Sequence, residues 1–463
     1  MRIQLLTPEH PAQNAGGIGS PVGRDVEALA RAYMAQGHEV RISVPLFSAP
    51  DLERWKVVAN VRASFLKLEE ARILGGNAQW PYVRLVHHPV LERSHPYLDE
   101  GGFDHGDNAL RFALFCAAAL IDCAAEDWTP DLIHAHEWQS GLAILYAKNH
   151  LRPMLGDVKL LFSFQDAAFQ GLCDASWVDD IGIGREWLNS DGLEFWGRLN
   201  LLKSGLVCSH QVTLPSQQYL HDLLVDSHGY GLEGMFRSLG GKVHPVNPGV
   251  DDAVWKIPTE IASNPEALHE WKIQARKELV GGTEPLLVFA SSFKAGKGID
   301  HVLTLMPDLL KMDVRVAVVG GHGTDEHRHL ESVAANHPER IHLFKKDDAT
   351  LLKVLKAADL LLLPVAHQPG GVLYARAMSM GTPTLAHRVG AAADQIVSYP
   401  KSGADGFLFD DLAPDTLLKH LRKALQLRAN IPEWTALCSR AAIRDFSWTK
   451  VAGTYLGLLE GGA

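Results

Sequence analysis

No C-x-x-C pair occurs among the five cysteines, Cys116, Cys123, Cys173, Cys208 and Cys438. An odd, scattered set supplies no disulfide framework, so they are expected as buried thiols in a reducing compartment. No H-E-x-x-H occurs in spite of 23 histidines, and His327 and His329 stand too close for an i, i+4 pair, so no metal site is expected. Apolar runs stay well short of the ~20 residues that span a bilayer. The opening residues MRIQLLTPEHPAQNAGG lack the charged n-region and long apolar core of a signal peptide. A cytoplasmic protein without a membrane partner is therefore expected. Excess positive charge is missing too: 44 Lys and Arg against 54 Asp and Glu give a net charge of −10, which argues against a nucleic-acid binder, whose affinity rests on Lys and Arg. Short-period repeats, low-complexity tracts and long charge runs are also lacking.

What is there points to a globular protein of two domains. The 463 residues are too many for one compact core, and 46% hydrophobic with 21% charged residues is an ordinary soluble balance. Short β-branched apolar runs alternate with helix-period segments, the pattern of parallel βαβ units. In the first half the strand candidates are IQLLTP (3–8), VRISVP (40–45), DLIHAH (131–136) and KLLFSF (159–164), with helical patterns at 26–37, closed by Gly37, and at 109–126. The second half repeats the scheme at 285–292, 314–321, 340–344, 360–365 and 383–387. Between them HPVNPGVDDAVWKIPTEIASNPEALHEWK, with four prolines, reads as a connection. The expectation is an α/β protein of two doubly wound domains, residues 1–247 and 248–463.

Gly-rich turns at the carboxyl ends of strands are where open α/β sheets bind ligands, and each half has one. NAGGIGSPVG (14–23) follows the first strand; QPGGV (368–372) precedes a helix. A nucleotide sugar against one domain and an acceptor against the other would use both. The side chain before the second turn, Gln368, is a neutral amide where sugar transfer would more naturally use a carboxylate.

Taken in order, GG (16–17), DNALRFALF (107–115), HAHEWQSGL (134–142), FQDAAFQG (164–171), GYGLEGMF (229–236), FKAGKG (293–298), QPGGV, GTPTLAHRVGAAAD (381–394), DGFLF (405–409) and DFSW (445–448) form a set. This set resembles the motif series of bacterial glycogen and starch synthases over nearly the whole chain. The resemblance implies a GT-B architecture, two Rossmann-like domains facing across a deep cleft, with the last helix, about 445–463, crossing back to the first domain. It implies metal-free, cofactor-free transfer of glucose from ADP-glucose, or UDP-glucose in some members, to the non-reducing end of an α-1,4-glucan with retention of configuration. Lys and Arg would then stabilise the departing diphosphate.

Carried over by position, the resemblance assigns donor binding to Gly16, Gly17, Lys297, Gly370, Gly371 and Val372, with Lys294 as a second cation near the same anion. The family lysine falls on Asn14, its sugar-contacting His-Asn pair on Gln165 and Asp166, its arginine on Ser292 and its glutamate on Gln368. The usual Asp of the HAH motif is Glu137, between His136 and Trp138, and Glu233 lies in the sugar or acceptor region with His136, Glu137 and Asp166. Ordinary structural roles stand beside these: Lys297 as a surface lysine, His136 as a hydrogen-bonded core residue, Glu137 in an ion pair and Glu233 as a cap. Asp107, Asn108 and Arg111 read as a capped helix start. Positions 14, 165, 292 and 368 each lose an ionisable group relative to the family. The expected function is accordingly a synthase-like protein of α-glucan metabolism, weak or inactive in glucosyl transfer, that binds glucan or a protein partner. The alternatives are an active glucosyltransferase with a rebuilt site, or transfer of a different sugar nucleotide.

Overall fold

The computed structural model describes residues 1–13, 20–125, 128–225 and 228–460. Two compact units emerge, one made of residues 1–215, 220–246 and the chain from Val451 onward, the other of Ser216–Tyr219 and Asn247–Lys450. The expected loop residues Asn14, Gly16 and Gly17 lie outside the described residues.

Unit 1 carries a sheet of nine strands among the described residues. In spatial order they are Val243–Pro245, Gln211–Leu214, Lys159–Ser163, Leu132–His136, Arg2–Leu6, Glu39–Pro45, Val83–His87, Ala71–Gly75 and Lys56–Val61. The first seven run parallel and the last two antiparallel. Strands covered on both faces should read as continuous apolar runs rather than alternating ones. Leu360–Leu363 of the second unit does so, and Leu132–His136 is likewise buried at all five residues although two of them are histidines. The antiparallel pair was not read from the sequence, because Val57 and Val58 lie exposed among polar neighbours on an edge strand.

The helix expected from residue 26 begins five residues earlier, at Pro21, and runs to Ala35. Ser20 caps it, accepting from the Gly23 amide at 3.1 Å, and Pro21 supplies the preset φ of a first helical residue. Gly23 is required by close approach: a Cβ there would sit 2.7 Å from the Glu9 carbonyl oxygen. The helix thus braces the loop after the first strand. Arg111, fully buried in the helix Asn108–Ala125, braces a second loop by donating to the carbonyls of Val90, Leu91 and Pro96 at 3.1, 3.0 and 2.9 Å.

Unit 2 holds a six-stranded, all-parallel sheet: Ile341–Phe344, Arg315–Gly320, Leu286–Ser291, Leu360–Leu363, Thr384–His387 and Phe407–Phe409. Much of the proline-rich stretch read as a connection is instead part of this unit. Asn264 accepts from the Ala267 amide at 3.0 Å and Pro265 opens a helix that continues to Val280. That helix contributes Arg276, nearly fully buried, whose guanidinium meets Asp359 at 2.5 Å. Asp359 also accepts from Arg428 at 2.7 Å and from the Leu286 amide at 2.8 Å, so one carboxylate ties two helices to the first strand of the sheet.

Removing one partner of such a buried network leaves charges unpaired, and Asp359→Ala is expected to cost unit 2 about 3–5 kcal/mol. Chemical denaturation followed by far-UV circular dichroism measures this; a loss under about 1 kcal/mol would place the pair in the class of surface ion pairs instead.

Candidate active site

In both sheets one strand is flanked by neighbours reached in opposite directions, and a crevice opens at the carboxyl ends there. In unit 1 the strand is Arg2–Leu6, between Glu39–Pro45 and Leu132–His136. In unit 2 it is Leu286–Ser291, between Arg315–Gly320 and Leu360–Leu363.

The unit 1 crevice gathers Glu9, Tyr97, Glu137, Gln165 and Asp166. Glu137 follows directly on the strand Leu132–His136 and has φ 67° and ψ 163°, a region populated almost only by glycine and costing a side-chain residue about 1–3 kcal/mol. Its amide donates to the Ser163 carbonyl at 2.8 Å and its carbonyl accepts from Ser140 at 3.0 Å. The strain is therefore held by backbone bonds on both sides. Its carboxyl accepts from the Gln165 amide at 2.9 Å. Burial pushes that carboxyl up to about 8, and the neighbouring charges of Glu9 and Asp166 add to the shift against the opposing Gln165 hydrogen bond. At neutral pH it is mostly protonated.

His136 is buried, and burial alone depresses its imidazole to about 3, so it is neutral. Its Nε2 has no hydrogen-bond partner among the described residues. The neighbouring His134 ring lies 4.1 Å away, centroid to centroid, and is tied to the Ser163 hydroxyl at 2.7 Å. Asp166 turns its own loop by accepting from the Ala168 amide at 3.0 Å. Glu9 and Tyr97 were missed at the level of sequence. The Tyr97 hydroxyl donates to Glu9 at 2.7 Å, and burial with the nearby carboxylates raises its pKa well above the usual phenol range. A carboxylate just past the first strand, in TPEHP, was the available signal for Glu9. Tyr97 left none, since the loop pinned by Arg111 brings it there.

Glu233 opens a short helix in the same unit. Its carboxylate accepts from the Gly231 amide at 3.1 Å at the start of the helix Glu233–Leu239, and so fastens the Tyr230–Gly231 turn.

The unit 2 crevice is framed by the loop 292–298 and the loop 364–372. Lys297 is half-buried and donates across the crevice to the His367 carbonyl at 3.2 Å. Lys294 is exposed, and Ser292 is half-buried at the end of its strand. Pro369 offers its carbonyl to the Ser216 hydroxyl at 2.8 Å and to the Ala391 amide at 3.1 Å, which fixes the QPGG loop. Gly371 has φ 87°, and a Cβ there would overlap the Gln368 side-chain nitrogen. The Gln368 amide is thus turned back onto the glycine turn. Gly370 is buried, and Val372 precedes the seven-residue helix Leu373–Ser379 without a side-chain cap. The two lysines, Ser292, Gln368 and the Gly370–Val372 turn are therefore brought to one crevice.

The starch synthase catalytic domain model matches residues 2–238, and the group 1 glycosyl transferase model matches residues 271–439. A curated glycogen synthase 2 from Nitrosococcus oceani is 30% identical, with 99% of this chain and 97% of the relative covered. The chain belongs to the glycogen and starch synthase family. A glycogen synthase of Pectobacterium carotovorum is 29% identical over 99% of both chains. Among solved structures, the catalytic domain of starch synthase IV from Arabidopsis thaliana, bound to ADP and acarbose, superposes with a TM-score of 0.81 at 21% identity, covering 100% of this chain and 99% of that one. Sucrose-phosphate synthase from Thermosynechococcus elongatus follows with a TM-score of 0.61 at 16% identity over 99% and 98%. The family fold is thus GT-B, and no helix among the described residues is long and apolar enough to cross a membrane.

Because the Glu137 carboxyl titrates near 8 in the folded chain and near 4.5 as an ordinary glutamate, the folded state holds the extra proton. Its contribution to stability is complete below about 4.5 and is lost as pH rises through about 8. Glu137→Gln keeps the acceptor for the Gln165 amide and cannot ionise, so its unfolding free energy is expected to gain on the wild type steadily across that interval and to level off above it. Urea denaturation of both proteins at several pH values measures the difference, and a pH-independent difference contradicts the assignment.

Proposed function

We propose that this chain is a synthase-like protein of α-glucan metabolism in which standard glucosyl transfer is weak or absent and binding of α-glucan, or of a protein partner, is retained. The observation that carries the reading is the pair of side chains at the unit 2 crevice. Gln368 offers an amide turned onto Gly371, and Ser292 offers a hydroxyl, where the family resemblance calls for a carboxylate and a guanidinium.

Breaking a glycosyl–diphosphate bond develops positive charge on the sugar and negative charge on the leaving diphosphate. Each preorganised electrostatic contact removed from such a transition state costs about 2.7–4 kcal/mol, or roughly 10² to 10³ in rate. Gln165 and Asn14 extend the loss to the sugar and to the donor loop. The losses do not add independently, yet about 10⁴ in rate is a reasonable combined effect. Lys297 remains for the diphosphate, and Lys294 supplies a point charge without the bidentate geometry of an arginine. ADP is the natural probe of the crevice, since the starch synthase IV structure holds it.

A second reading, an active glucosyltransferase with a rebuilt site, is favoured by Glu137. A strained carboxyl whose proton comes off near pH 8 has the properties of a general acid or base.

Incorporation of labelled glucose from ADP-glucose and UDP-glucose into glycogen separates the two, with the first reading expecting rates about 10⁴ below those of family enzymes. Robust incorporation at family-like rates would sink it. The combined variant Gln165→His, Ser292→Arg and Gln368→Glu is expected to raise any residual rate by about a hundredfold, the lower end of what one restored contact supplies. No change in that variant would mean that the positional assignment is wrong.

A further inference from the structure

The helix Pro265–Val280 buries one lysine, Lys272, to 4% exposure. A buried ammonium is ordinarily paired with a carboxylate, yet the hydrogen bonds of Lys272 all go to oxygens of neutral groups. Its Nζ donates to the Thr382 hydroxyl at 2.7 Å and to the carbonyls of Met380, Lys356 and Leu355 at 2.9, 3.3 and 3.4 Å. Leu355 and Lys356 lie in the last turn of the helix Asp348–Ala357, and Met380 caps the helix Leu373–Ser379. Carbonyls at such ends have no donor within their own helix. One nitrogen therefore supplies the ends of two helices from a third.

The packing around that nitrogen is close. One turn before Lys272 on the same helix, Leu268 lies on Gly381, where φ is 65° and a Cβ would sit 2.9 Å from a leucine methyl. Thr382 is fully buried, and its hydroxyl accepts from Lys272 while donating to the Leu355 carbonyl at 2.7 Å. The helix that Met380 caps begins immediately after the Gly370–Val372 turn of the crevice and has seven residues, so it is only about 10 Å long. Movement of its carboxyl end is thus passed on to the turn. We propose that Lys272 is a positioning residue for the unit 2 crevice: its amine seats the helix Leu373–Ser379, and with it the turn ahead of that helix, and a proton gained by the amine loosens the seat. This holds whether or not glucosyl transfer survives.

The surrounding groups set the direction of the effect. Burial pushes the lysine down to about 7 from 10.5, and Arg276 on the same helix adds to the fall. Cys438 on the helix Ile431–Ala442 and Asp359 at the head of the strand Leu360–Leu363 oppose it. Asp359 is itself held by Arg276 and by Arg428 of the helix Pro414–Ala429. On the two capped helices Lys356 lies over the Trp271 ring at 4.7 Å, Lys353 is exposed, and Arg376 pairs with Asp348 at 3.2 Å. Any opened form in which the Lys272 nitrogen meets water binds the proton more tightly than the buried site does. The seat is therefore fully held above about 10.5 and loses its hold as pH falls to about 7.

Hydrogen exchange of the full chain between pH 7 and pH 9 tests it, read by mass spectrometry with fragmentation that resolves residues 368–383 and corrected for intrinsic rates. The opening equilibrium of this segment in the wild type is expected to rise about fiftyfold from pH 9 to pH 7, the ratio that a shift from 10.5 to about 7 gives. Lys272→Met, which keeps the length and carries no proton, is expected to lose that dependence, whereas a purely structural contact would change protection by the same factor at every pH. A wild-type change under about twofold, or one shared equally by the helix Asn108–Ala125 of unit 1, overturns the proposal whatever the variant does. A response confined to residues 380–382, with the Gly371 and Val372 amides unchanged, overturns the reach to the crevice. A dependence that survives in Lys272→Met gives the proton to another group and overturns the role of the lysine.

Discussion

Where two parallel neighbours of one strand are reached by crossovers of opposite direction, no single loop can cover the carboxyl ends, and the backbone there is left to meet something other than itself. The two crevices described above sit at those two places. In unit 1 the gap after Leu6 and His136 receives Glu9 and Glu137; in unit 2 the gap after Ser291 and Leu363 receives Lys297 and the QPGG loop. The supporting features serve these gaps. Gly23 lets a helix press on Glu9, Arg111 pins the loop that delivers Tyr97, and Asp359 anchors the strand from which the Lys297 loop departs.

Much of this order is legible in the sequence because parallel strands announce themselves. Runs such as KLLFSF and LLLLPV are almost wholly apolar, and covering them on both faces leaves few topologies. The Gly-rich turn at 368–372 also marks the crevice of unit 2. What escaped reading has local causes. The edge strand Lys56–Val61 alternates poorly and exposes valines, and the helix at Pro21 hides behind a proline that looks like a breaker but serves as a first helical residue. Glu9 and Tyr97 meet across 88 residues of chain, a distance no periodicity encodes. Position 137 could be named in advance. That its backbone is strained and its carboxyl mostly protonated at neutral pH could not, since both follow from burial after folding.

Backbone and side chains play different parts in the two crevices. In unit 2 the loop backbone is firmly held, with Gly371 at φ 87° and Pro369 bonded on two sides, while the side chains at 368 and 292 are a neutral amide and a hydroxyl. In unit 1 it is the side chain that departs from the ordinary, since burial keeps the proton on the carboxyl at 137. The stability of the frame lies elsewhere, in the apolar strands and in the Asp359 network.

The hydrogen bond from Lys297 to the His367 carbonyl makes that lysine a bridge between two loops as well as a charge. An anion entering the crevice has the other two N–H donors of the ammonium to meet without breaking that bond. The lysine then joins the anion to both loops at once, and occupancy of the crevice becomes coupled to whether the loop carrying Gln368 stays fastened.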